Sequence, residues 1–113
     1  MRKYTPSNPI SNEYEKYLIT RCGLRLNAAK TSKSDLNRVS ECMKSLGIVE
    51  ESIYEIKNIK LLRRAMIKLT ESDTYKSLPA IPGNKNYKSR WRNTMEHYSD
   101  FAAQNRKFSH KCV

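Results

Sequence analysis

The side chains able to do chemistry in this chain are mostly cationic. Lys and Arg number 22 against 11 Asp and Glu, a formal net charge of +11. The cations recur near the starts of apolar-periodic segments. Lys30 and Lys33 open one, with Arg38 a turn further on; Lys57, Lys60, Arg63 and Arg64 open another; Lys85, Lys88, Arg90 and Arg92 open a third. The acids come later, as Glu71 and Asp73 or as Glu96 and Asp100. A helix start carries partial positive charge, so each such cation is unfavourable by about 0.3–1 kcal/mol. Local inconsistency of this kind tends to mark function. Backbone N–H groups ringed by Lys and Arg form a good phosphate site. Lys30, Lys33, Arg38, Arg63, Arg64, Lys85, Lys88, Arg90 and Arg92 are therefore the candidate nucleic-acid contacts. Any one cluster alone fits an ordinary solvated face; the recurrence favours one anion-binding surface.

Polar residues interleave with these cations. Thr31, Ser32, Ser34 and Asn37 accompany the first cluster, and Asn84, Asn86, Ser89 and Asn93 the last. Such groups donate to phosphates and read base edges, but they also cap helices. So large a charge on a small chain costs self-repulsion when folded. A polyphosphate backbone offsets that cost, because neutralised phosphates release condensed counterions. DNA is expected over RNA. An acidic protein surface is the competing partner, and an anionic membrane a weaker one.

Other chemistry is hard to find. His97 and His110 are the only histidines, and His110 forms a short His-x-Cys with Cys112. Zinc needs four converging ligands, and neither Cys-x-x-Cys nor His-x-x-x-His occurs. Gly83-Asn84-Lys85 lacks the second glycine of a phosphate loop. The acid pairs Glu13/Glu15 and Glu50/Glu51 have no partner base. The expectation is a protein that is not an enzyme, with no cofactor and no metal. Cys22, Cys42 and Cys112 are odd in number and widely spaced, which argues against a disulfide framework. Cys22 and Cys42 are expected to be reduced core thiols. Met1-Arg2-Lys3 leads into Tyr4-Thr5-Pro6 rather than an apolar run, so no signal peptide is expected. With no apolar stretch near the ~20 residues of a membrane span, a cytoplasmic or nucleoid-associated protein is expected.

The elements that must position the cations read as helices. With 113 residues there is material for one domain, and a 38% hydrophobic content implies a thin core. Seven Tyr, one Trp and two Phe are expected to carry much of the burial. Ser11 or Asn12 caps a first helix with Glu13 and Glu15 in its first turn; Tyr14, Tyr17, Leu18 and Cys22 share a face, and Gly23 stops it. A second begins at Asn27, with a stripe of Leu36, Val39, Cys42, Met43 and Leu46, and stops at Gly47. Ile48 to Ile56 alternates apolar and polar residues and reads as a connector holding a turn of helix. Asn58 opens a third helix with Leu62, Ala65, Met66 and Leu69 inward, ending near Glu71-Ser72-Asp73. A loop from Leu78 to Asn84 holds two prolines and a glycine. The fourth helix runs from about Asn86 to Ala103, with Tyr87, Trp91, Thr94, Met95, Tyr98, Phe101 and Ala102 on one face. The expected architecture is all-α: a compact single-domain bundle of four to five helices over residues 12–103. An N-terminal arm (1–11) precedes it, and a frayed basic tail (104–113) follows.

Glu13-Tyr14-Glu15-Lys16-Tyr17-Leu18 resembles the opening helix of the core-binding (SAM-like) domain of tyrosine recombinases, the phage integrases. Asn27-Ala28-Ala29-Lys30-Thr31 through Leu36 is similar to that domain's second helix, and Tyr87 through Phe101 to its closing helix. A related helical module precedes some restriction-type nuclease domains. The resemblance implies DNA binding by a four-helix bundle whose second and fourth helices face the duplex. The recombinase catalytic domain is absent from this chain, so cutting or joining would need another polypeptide. The function expected is a non-catalytic nucleic-acid-binding module contacting duplex DNA through phosphates. The alternative is a phage- or mobile-element-encoded inhibitor or adaptor that docks on an acidic surface of a host protein.

Overall fold

The computed structural model describes residues 9–77 and 87–110. Within them the fold is all-α, as expected. The elements are α1 (Pro9–Thr20), α2 (Leu26–Ser45), a 3-10 turn (Ile53–Glu55), α3 (Ile59–Glu71), the short α4 (Asp73–Lys76) and α5 (Tyr87–Gln104). The only β pairing among the described residues is an isolated parallel bridge between Asn58 and Ser109.

Helix α1 starts at Pro9, three residues before the expected domain boundary. Proline suits a first helical position, where its missing N–H and fixed φ cost nothing. Ile10 and Ser11 are buried, so this part of the expected arm belongs to the core. Glu13 and Glu15 consequently fall in the second turn rather than the first. Gly23 and Gly47 end α1 and α2 with φ of 72° and 73°. In each case the next amide closes a wide turn, Leu24 N–H to Leu18 O (3.0 Å) and Ile48 N–H to Met43 O (2.9 Å). Side chains at that φ are strained, so glycine ends both helices. Helix α4 is capped by Ser72, whose Oγ accepts from Tyr75 N–H (3.1 Å).

Helix α5 is the centre of the bundle and packs against α1, α2 and α3. Trp91, Thr94, Met95, Tyr98, Phe101 and Ala102 are buried along it, as its stripe predicts. Leu36, Val39 and Met43 are buried on α2, but Leu46 is exposed where the chain turns at Gly47. Cys22 and Cys42 are unpaired thiols, half-buried against the core rather than within it.

Aromatic rings fill the centre. Tyr14 and Tyr98 meet edge to face with centroids 5.1 Å apart, and Phe101 and Phe108 extend the cluster. The two tyrosines differ in their hydroxyls. Tyr14 Oη lies 2.8 Å from Thr94 Oγ1, which itself donates to Ser32 O (2.9 Å), tying α1, α2 and α5 together. Burial pushes the Tyr14 phenol up to about 12. Tyr98 Oη is buried with no hydrogen-bond partner among the described residues, and burial pushes its phenol far above the ordinary range. Tyr14→Phe is expected to destabilise by about 1–2 kcal/mol, because it strips a partner from buried Thr94. Tyr98→Phe removes an unsatisfied polar atom and is expected to be neutral or stabilising by up to about 1 kcal/mol. Urea denaturation of the two variants checks the contrast.

The segment after α5 is not frayed as expected. Phe108 is buried, Ser109 N–H donates to Lys57 O (2.6 Å), and Ile59 N–H donates to Ser109 O (2.9 Å). Asn105 Nδ2 donates to Glu13 Oε1 (3.0 Å), and Lys107 Nζ pairs with Glu13 Oε2. The buried Phe108 ring, the two backbone hydrogen bonds at the entrance to α3 and the Glu13 contacts together dock it. The hydrogen bond from Lys107, then that from Asn105, holds the Glu13 carboxyl below its ordinary value, with Lys57 adding a smaller attraction. A lowered carboxylate pKa stabilises fully above the ordinary value and is lost as pH falls through the folded one. The strap is therefore expected to loosen between about pH 5 and pH 3. Hydrogen-exchange protection of the Ser109 and Ile59 amides should fall across that window, and Glu13→Gln should show low protection at both ends.

Candidate nucleic-acid interface

The orientation of α5 decides which cations meet. Arg90 on α5 pairs with Asp35 on α2, and Thr94 lies against Ser32. Higher numbers on one helix thus meet lower numbers on the other, so the two run antiparallel. Arg63 Nε on α3 donates to Ser99 Oγ (3.1 Å), while Thr70 and Arg92 line one small groove. Helices α3 and α5 are therefore antiparallel too. The starts of α2 and α3 flank the C-terminal half of α5, and the start of α5 lies at the opposite end. The three basic helix starts do not gather at one end of the bundle.

Nor are all the candidates available to a polyanion. Arg90 forms a two-pronged pair with Asp35, Nε to Oδ2 at 3.2 Å and a terminal nitrogen to Oδ1 at 2.9 Å. The Asp35 carboxylate is 5% exposed and the Arg90 side chain 26%. That carboxylate must be paired where it sits, so Arg90 is a positioning group inside the α2–α5 seam. Lys33 Nζ lies 2.8 Å from Glu15 Oε1 in the α1–α2 seam. Arg92 reaches Glu96 one turn on at 3.4 Å, but both are well exposed and the pair is worth little. Lys30 and Arg38 are exposed on α2. Lys88 is half-buried, its carbonyl accepting from Tyr75 Oη (3.0 Å). Lys85 lies outside the described residues.

The expected phosphate site at a helix start is closed on α3. Asn58 Oδ1 accepts from the Lys60 and Leu61 amides (3.0 and 3.1 Å), and Ser109 O takes the Ile59 amide. The cations of α3 act instead along its side. Lys60, Arg63, Arg64, Ile67, Lys68 and Glu71 are exposed, while Ile59, Leu62, Ala65, Met66 and Leu69 are buried. At 3.6 residues per turn the exposed set forms one continuous outer face. Arg63, Arg64 and Lys68 form no ion pair with a carboxylate among the described residues. Glu71 ends the face, and Glu50 and Glu51 line one groove together with Arg64 and Lys68. Arg92 joins the face from α5, lining a groove with Ile67 and Thr70. Of the candidates read from the sequence, the structure brings Arg63, Arg64 and Arg92 together. It adds Lys60 and Lys68, which shared their helical spacing with Arg63 and Arg64 from the start.

Among the described residues no three His, Cys, Asp or Glu cluster as metal ligands would, and no helix is long and apolar enough to cross a membrane. Comparison of the chain with protein-family models, curated proteins and solved structures finds no match.

Proposed function

We propose that this chain is a non-catalytic nucleic-acid-binding module whose contact surface is the outer face of α3 with Arg92 beside it. One observation carries the reading: Lys60, Arg63, Arg64 and Lys68 are exposed on a single helical face within about three turns. Fixed on a packed helix, such cations engage successive phosphates without the ordering cost of a mobile tail. The net charge of +11 adds long-range attraction. The resemblance to the recombinase core-binding domain supports DNA as the partner. It would put α2 and α5 on the duplex, whereas the pairing of Lys33 with half-buried Glu15 and of Arg90 with buried Asp35 favours α3. A gel shift with random-sequence duplex DNA tests the reading. Retarded protein–DNA complex at moderate salt is the expected result, and its absence refutes the reading.

A protein partner is the second reading. A groove of about 520 Å³ runs between the connector and α3, lined by Ile48, Val49, Ile56 and Leu61 with Glu50 and Glu51 on one lip. Leu61 is 42% exposed there. An inhibitor or adaptor that grips an acidic protein would set Arg64 and Lys68 on that lip's opposite side. Failure to shift DNA, with retention on an acidic protein surface in pull-down, would favour it.

A further inference from the structure

Ile67 stands in the middle of the cationic face of α3 and is 56% exposed, more than any other large hydrophobic side chain among the described residues. Arg63 and Arg64 lie one turn before it, Lys68 beside it, and Arg92 across the small groove. Its neighbours Met66 and Met95 are buried, so Ile67 is not needed to seal the core. Glu71 lies one turn after it and Glu96 also lines that groove, so the charge around Ile67 is positive on balance: with Lys60, five cations against two carboxylates.

We infer that α3 lies in the major groove of B-form DNA and that Ile67 packs against thymine methyl groups. This rests on the nucleic-acid reading above and names its substrate. The charge is complementary: cations on both sides of the helix face the phosphates that border a groove. The size fits as well. A helix of 13 residues spans about 20 Å with a width of about 10–12 Å, and the B-form major groove is about 12 Å wide. The thymine C5-methyl is the apolar feature that groove offers, which gives an exposed Ile a partner that phosphates cannot. The deep, narrow major groove of A-form RNA excludes a helix, so double-stranded RNA is met only at its rim.

The test is fluorescence anisotropy of the full chain with an A·T-rich 20-base-pair duplex, with the same duplex carrying deoxyuridine for thymidine, and with the RNA duplex of that sequence. Wild type is expected to bind the thymidine duplex roughly three- to tenfold more tightly than the deoxyuridine one, as loss of buried methyl contacts predicts. It should bind the RNA duplex more weakly than either. Ile67→Ala is expected to bind both DNA duplexes equally while keeping the wild-type salt dependence. Equal wild-type binding to thymidine and deoxyuridine duplexes overturns this inference and leaves the phosphate reading standing. RNA binding as tight as DNA binding overturns it likewise. No binding to any of the three defeats the phosphate reading itself.

Discussion

Replacing Arg90 by Met is expected to destabilise the protein by about 3 kcal/mol, the lower end of what losing one partner of a buried ion pair costs. For a domain of this size that is a fall of roughly 10 °C in melting temperature. The cause is the carboxylate left behind. Asp35 is 4% exposed, and its two oxygens are matched to the Arg90 guanidinium across 55 positions of sequence. Without Arg90 that charge has no compensation in the α2–α5 seam. Removing both charges together, as Asp35→Leu with Arg90→Met, should recover much of the loss, because a pair of apolar residues replaces a buried ion pair with little penalty. Thermal unfolding followed by circular dichroism measures all of these. A shift below about 2 °C in the single variant would show that the pair is solvated and that Arg90 is available for other contacts.

The second large effect is on binding. The variant Arg63→Ala/Arg64→Ala/Lys68→Ala should remain folded, since none of the three is buried and Arg63 bonds only a serine hydroxyl. Each lost phosphate contact removes about 0.9 from the slope of log affinity against log salt. The triple variant should therefore have a slope shallower by roughly 2.7 and bind duplex DNA about 100-fold or more weakly near 0.1 M salt. Lys33→Ala, which removes a cation engaged by Glu15, should leave the slope within about half a contact of wild type. Equal losses in the two variants would mean that net charge, not the α3 face, governs binding.

Much of the bundle was legible because helical periodicity is a local property. The spacing of Leu36, Val39 and Met43, and of Trp91, Met95, Tyr98 and Phe101, predicted the buried faces, and Asn58, Gly23 and Gly47 marked ends that the backbone confirms. What escaped was set by contacts distant in sequence. Nothing near Asp35 announces that it meets Arg90, nor anything near Glu13 that Asn105 and Lys107 reach back to it. Phe108 read as part of a frayed tail because one aromatic carries no period. Pro9 was a readable signal, being favoured at a first helical position, yet the polar residues around it suggested an arm. The candidate site suffered most. Basic residues at helix starts were read from local rules, but whether starts converge depends on helix direction, and α5 runs against both α2 and α3. The side face of α3 was present in the spacing of Lys60, Arg63, Arg64 and Lys68. It stood out only once Lys33 of α2 and Arg90 of α5 were seen to be paired with Glu15 and Asp35.

The most direct measurement is a backbone-amide NMR titration of the full chain with a 20-base-pair duplex at moderate salt. The largest shift changes are expected along α3 from Lys60 to Lys68 and at Arg92, with little change around Asp35, Glu15 and the seams they occupy. Shifts concentrated on α1 and the exposed side of α2, with α3 unmoved, would contradict the α3 interface.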